Sequence, residues 1–139
     1  MSFAGAKLLL VHQDQALTYL RDDRPDLPWP GLWDLPGGGR EGGESPQACV
    51  LRELDEEFGL TLPPSRLLWG RAFPAIADAA RIGWFFAGRI EPGEIATIRF
   101  GNEGQFWCMM PLKDWLEHPN GVLPLQDRSR IALREIGAV

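Results

Sequence analysis

The run Trp33–Leu60, WDLPGGGREGGESPQACVLRELDEEFGL, decides how this chain folds. It divides into a strand-like approach that ends in Pro36 and three glycines, a polar loop, and a helix with marked ends. Ser45 is placed to accept a backbone N–H as N-cap. Pro46 falls at the first helical position, where its missing N–H costs nothing. Gly59 suits the left-handed residue that closes a helix. At about 100° per residue, Val50, Leu51, Leu54 and Phe58 form one apolar face. Glu53, Glu56 and Glu57 share a neighbouring arc.

Three carboxylates at i, i+3 and i+4 repel one another by a few tenths of a kcal/mol per close pair. Glu57, near the helix C-terminus, also opposes the macrodipole. A divalent cation would reverse both effects, because it takes hard oxygen ligands and favours the ionised carboxylates. Taken alone, three helical glutamates read more simply as a solvated acidic face. The glycine run and the spacing around it shift the balance towards a metal site.

The spacing is Gly38, five residues, Glu44, seven residues, then Arg52-Glu53-Leu54-Asp55-Glu56-Glu57-Phe58-Gly59-Leu60. It resembles the signature of the Nudix family at every fixed position, with Leu54 and Leu60 at the two bulky aliphatic sites. Trp33 to Gly38 is similar to the family's approach to that box. The resemblance implies an α+β fold, an α/β/α sandwich around a mixed β-sheet. It also implies metal-dependent cleavage of a phosphoanhydride. Glu53, Glu56 and Glu57, with the Gly38 carbonyl, would then hold Mg²⁺, with Mn²⁺ as the alternative ion. Both Glu56 and Glu57 are expected at the surface of that site. Arg52 is placed among the catalytic residues, fixing a carboxylate through Glu56 or Glu44. The general base is left open among Glu53, Glu56 and Glu103. Gly37 and Gly38 let the backbone bend tightly beside metal and substrate.

The length suits one domain spanning residues 1–139. The apolar run Leu8–Val11 is too short to cross a membrane. Cys49 and Cys108 lack CxxC spacing and read as reduced thiols of a cytoplasmic protein. The formal net charge is −5, with no block of lysine or arginine. A polynucleotide partner, including an RNA 5′ end, normally calls for a basic patch. The expected partner is therefore a small nucleotide-like diphosphate. A homodimer is left open.

Along the chain, Ala6–His12 and Ala16–Arg21 read as a hairpin. Arg21 resembles a family arginine that meets substrate phosphate, although pairing with Asp22 or Asp23 is an equal reading. Trp29 and Trp33 flank a proline-rich loop, and Trp29 is a candidate for stacking on a base. Strands follow over residues 66–73, 81–90 and 106–110, with a turn at 91–94 and a short strand at 96–100. Glu103, in a loop before an aromatic strand, resembles a fourth acid that reaches the metal in some members. A short helix is expected over 111–117 and a last helix from Asp127, its N-cap, to Ile136. Asn120 and Gln126 lie just before it, where the MutT-like branch carries a polar side chain that reads the base. That branch hydrolyses nucleoside triphosphates, some of them oxidised, to monophosphate and pyrophosphate. Nucleotide sugars or ADP-ribose are the alternative substrates, and a non-enzymatic nucleotide sensor is the remote one.

Overall fold

The structure is a computed structural model that describes residues 2–137. Its axis is strand β1 (Phe3–His12), where Leu8, Leu9, Leu10 and Val11 are all fully buried. A continuous apolar run of this kind belongs to a strand covered on both faces. A tight turn leads to β2 (Gln15–Leu20), which pairs with β1 only at its first two residues. Beyond that point the two strands part. Strand β3 (Trp33–Asp34) fills the gap on β2, and strand β4 (Gly37–Gly39) fills it on β1. The glycines expected as a bend are thus themselves a short strand, set opposite Gly5, Ala6 and Lys7.

Helix α1 (Pro46–Phe58) has the expected ends. Ser45 Oγ accepts from Ala48 N at 3.1 Å, and Gly59 closes it in the left-handed region at φ 66°. A 3-10 turn at Pro64–Arg66 precedes β5 (Leu67–Pro74), which runs antiparallel to β6 (Ile82–Arg89). Strand β6 in turn runs parallel to β1, so the sheet is mixed. Helix α2 (Pro92–Ile95), β7 (Phe106–Pro111), α3 (Leu112–Glu117) and α4 (Leu123–Ile136) complete the described chain.

Period-two alternation divides the core in two. Leu8, Leu10, Leu17 and Phe86 pack under α1 with Val50, Leu54 and Phe58. Leu9, Val11, Phe85 and Ala87 pack on the other face with Trp115, Leu125 and Leu133. This is the expected α/β/α sandwich.

Three local expectations need correction. Residues 91–94 are not a turn but the start of α2, a one-turn helix closed by a capping box between Glu91 and Glu94. Residues 96–100 form no strand. Arg99 N and Gly101 N instead donate to the Phe58 and Glu57 carbonyls, at 2.9 Å each, satisfying the open end of α1. The last helix begins at Leu123, with Pro124 in its first turn, so Asp127 lies inside it and does not cap it.

Leu9→Ala should cost about 2–5 kcal/mol, because the α4-side core is closed around a fully buried side chain. Urea denaturation would show it as a lowered midpoint. A loss below about 1 kcal/mol would mean that this core collapses around the void.

Candidate active site

Where β1 and β2 part, a cleft of about 540 Å³ opens beside the glycine strand. Its volume is that of a small-molecule site. The expected residues Arg21, Trp29, Gly37, Gly38, Glu53, Glu57 and Glu103 all line it.

The helix and the glycine strand meet very closely. A Cβ on Gly38 would stand 2.7 Å from the Glu53 carboxyl carbon. Gly37 has φ 130°, and its N–H donates to Glu57 Oε1 at 2.9 Å. Glu57 is only 8% exposed, which corrects the expectation of a surface position. Burial is the main cause that pushes its carboxyl up to about 8, with the nearby Glu53 and Asp34 charges adding to it. Burial also raises the Glu53 carboxyl. The side chain of Glu56, at 56% exposure, is the open member of the three.

Arg52 holds this acidic set together. Its Nη1 donates to Glu53 Oε1 and to Glu56 Oε2, both at 3.0 Å. Its Nε and Nη2 make a two-point pair with Glu44 at 3.0 and 2.9 Å, and Nη2 also donates to the Gly39 carbonyl. The guanidinium bond holds the Glu44 carboxyl down at about 2. Arg52 thus pairs with both partners named from sequence, Glu44 and Glu56. With Glu53 and Glu56 drawn to Arg52 and Glu57 drawn to Gly37, no three acidic, histidine or cysteine side chains among the described residues stand gathered around one point.

A second charged cluster was not legible in the sequence. Asp34 is almost fully buried, and its Oδ2 accepts from Lys7 Nζ at 3.0 Å, Tyr19 OH at 3.1 Å and Arg21 Nη1 at 2.8 Å. Its Oδ1 accepts from Leu35 N at 2.7 Å. Burial alone would raise this carboxyl, but Lys7, Arg21 and the Leu35 N–H together hold it below the usual range. Lys7 also donates to the carbonyls of Leu35 and Gly37, so one ammonium clamps both inserted strands onto β1. Arg21 therefore pairs with Asp34, not with Asp22 or Asp23. Its Nε donates to the Pro28 carbonyl at 3.0 Å, beside Trp29.

Trp29 is 40% exposed and takes a left-handed backbone at φ 54°. Such a conformation is unusual for a bulky residue. Trp33 stands outside the cleft lining and meets Phe106 edge-on, with ring centres 5.6 Å apart. Glu103 is exposed at the rim, in the loop that begins where Gly101 is tied to the end of α1. Asn120 and Gln126 do not line the cleft. Gln126 is buried, and its Nε2 donates to the Trp115 and His118 carbonyls at 2.9 Å, which fixes the turn between α3 and α4. The exposed Asn120 offers its carbonyl to Trp33 N at 2.7 Å. Trp84, Val122, Leu125 and Arg128 line the cleft in their place. From sequence, Trp84 falls in a strand and Arg128 in the last helix, whereas Val122 and Leu125 fall outside any element.

Asp34→Asn should destabilise the chain by about 3–5 kcal/mol, because Lys7 and Arg21 would keep their charges without a counter-ion. Denaturation within about 1 kcal/mol of the parent would show that solvent supports both cations. Glu57 generates a pH effect of defined sign. Its raised folded value means that the folded chain holds a proton which the unfolded chain has released. That stability is complete below the ordinary value of 4.5 and is lost as pH rises to about 8. In chelator, the melting temperature should fall over this window, and Glu57→Gln should flatten the fall. An unchanged slope in the variant would place the proton elsewhere.

Comparison with known proteins bears on the fold and the family. The chain superposes on the crystal structure of a MutT protein from Methanosarcina mazei Go1 with a TM-score of 0.74 at 23% identity, covering 94% of this chain and 92% of that one. It is 29% identical over 103 residues to a putative 8-oxo-dGTP diphosphatase of Bacillus subtilis (strain 168), covering 74% of this chain and 64% of the relative. It is 66% identical over 29 residues to an RNA pyrophosphohydrolase of Acidiphilium cryptum (strain JF-5), covering 21% and 18%. The chain thus matches less than two thirds of the length of either relative. Among the described residues no helix is long and apolar enough to cross a membrane. A model of the NUDIX domain matches residues 3–126, and the chain belongs to the Nudix family.

Proposed function

We propose that this protein is a divalent-metal-dependent pyrophosphohydrolase that converts a nucleoside triphosphate and water to the monophosphate and pyrophosphate. The observation that carries this reading is the composition of the cleft beside the glycine strand. Its carboxylate side is set by Glu53, Glu57 and the glycine strand, and its apolar side by Trp84, Val122 and Leu125. A phosphate chain suits the first and a nucleoside the second. The 8-oxo-dGTP diphosphatase named among the relatives supports the same choice.

The donor set fits a hard cation. Three carboxylates and the Gly38 carbonyl offer only oxygen, which suits Mg²⁺ or Mn²⁺ better than softer metals. When bound, such an ion shields the phosphate oxygens and lowers the pKa of a coordinated water. The chain's own groups do the rest. Glu53, Glu56 and Glu57, with Glu103 from the rim, would hold the ion. Arg52 ties Glu53, which lines the cleft, to Glu56, which lies outside its lining, and neutralises part of their repulsion. Gly38, lacking a side chain, leaves room for the Glu53 carboxylate against the strand. Arg21, fixed by Asp34, presents guanidinium N–H groups to a phosphate. Trp29 offers a ring face to the base. Glu53, Glu56 and Glu103 remain the candidates for the proton acceptor. The two cysteines are free thiols, which suits a reducing cytoplasm.

Product analysis tests the reading. With Mg²⁺, the purified protein is incubated with nucleoside triphosphates, 8-oxo forms, nucleotide sugars and ADP-ribose. One triphosphate should give monophosphate and pyrophosphate. Glu56→Gln, an exposed position, should lower that turnover about 10²-fold or more with an unchanged melting temperature. Cleavage confined to ADP-ribose or nucleotide sugars would move the specificity to that class. No cleavage of any compound would overturn the reading.

A further inference from the structure

Arg128 projects from α4 into the cleft wall, far in sequence from the acidic helix. Its Nη2 donates to the Pro74 carbonyl at 2.6 Å, and its guanidinium lies over the Phe73 ring at 4.8 Å. Among the described residues no carboxylate pairs with it, and the Pro74 bond is its only hydrogen bond there. A guanidinium carries five N–H donors in a rigid plane, so most of this one's capacity is unspent. It is also half-buried, and burial lowers its pKa. A partly desolvated cation without an anion is costly unless an acceptor meets it.

Gly83 of β6 lies beside the guanidinium. A Cβ on Gly83 would stand 3.9 Å from Arg128 Nη1 and 3.5 Å from the Ala75 Cα. The pairing of strands sets the distance to the acidic end. Gly39 lies opposite Gly5 on one side of β1, and Gly83 lies opposite Gly5 on the other. Two strand spacings, about 10 Å, therefore separate β4 from β6. Arg128 is thus removed from the carboxylates and from Arg21, and the lining beside it is apolar: Ile76, Trp84 and Leu125. An apolar slot suits a flat ring better than a phosphate. A guanidinium with unspent N–H donors at the edge of such a slot suits a ring edge that carries two neighbouring acceptors. Guanine presents such an edge in O6 and N7, whereas adenine places an amino donor at the same point.

We infer that Arg128 is a specificity-determining residue that reads the O6/N7 edge of a 6-oxopurine, so that this chain prefers guanine over adenine nucleotides. This rests on the nucleotide reading above and assigns to α4 the role that Asn120 and Gln126 do not fill.

The test is equilibrium binding, which does not depend on turnover. Calorimetry with Mg²⁺ compares the α,β-methylene analogues of GTP and ATP on the parent, Arg128→Gln and Arg128→Lys. The parent should bind the guanine analogue on the order of ten-fold more tightly or better. Both variants should lose most of that ratio, whereas a merely structural arginine would weaken both analogues alike. Lysine keeps the charge and reaches the Pro74 carbonyl, so it guards against a glutamine variant that fails to fold. Equal affinities in the parent, or a ratio unchanged in a folded variant, would overturn the inference and leave the hydrolase reading standing. Binding of neither analogue would overturn both.

Discussion

The close approach of α1 to the strand Gly37–Gly39 is the constraint on which the rest depends. The Glu57 carboxyl accepts from Gly37 N, and the Glu53 carboxyl rests where a Gly38 side chain would be. A helix and a strand can come this near only where the strand lacks side chains. The contact leaves Glu57 buried, and burial favours its protonated form. A cation would be the simplest partner for that carboxylate, since it supplies the charge that the apolar surroundings withhold. The fold therefore carries local instability at one point and a ligand set suited to relieve it.

Two polar clusters keep that point in place, and they act differently. Around Asp34 two cations, Lys7 and Arg21, face one buried carboxylate, and Tyr19 completes its shell. Such a network holds β1, β2 and β3 in register at the split in the sheet. Around Arg52 the balance is reversed, with one cation facing Glu41, Glu44, Glu53 and Glu56. The surplus is negative and borders the cleft. The first cluster builds the scaffold, and the second leaves a site that a metal ion and a phosphate chain can share.

Much of this was legible in the sequence because local chemistry agreed with the final fold. Ser45, Pro46 and Gly59 mark both ends of α1, and the run Leu8–Val11 marks the strand buried on both faces. The glycine–glutamate spacing brought Glu53, Glu57, Gly37 and Gly38 into one cleft. What was not legible depends on distant pairings. Nothing near Asp34 in sequence shows that Lys7 and Arg21 converge on it. Residues 96–100 have the composition of a strand, yet the N–H groups of 96–98 donate back into α2 and that of Arg99 serves the open end of α1. The last helix starts at Leu123 without a side-chain cap, so Asp127 drew the boundary too late. Gln126 and Asn120 sat at the expected place in the chain, but one is spent on the α3–α4 turn and the other is not part of the cleft lining.

The most direct test of the central claim is anomalous scattering from crystals soaked in Mn²⁺. The account expects one or more manganese peaks bounded by Glu53, Glu56, Glu57 and the Gly38 carbonyl, with Arg52 released from Glu53 or Glu56 and still paired with Glu44. Manganese found only elsewhere, with Arg52 still bridging Glu53 and Glu56, would contradict it and reduce the acidic helix to a charged surface.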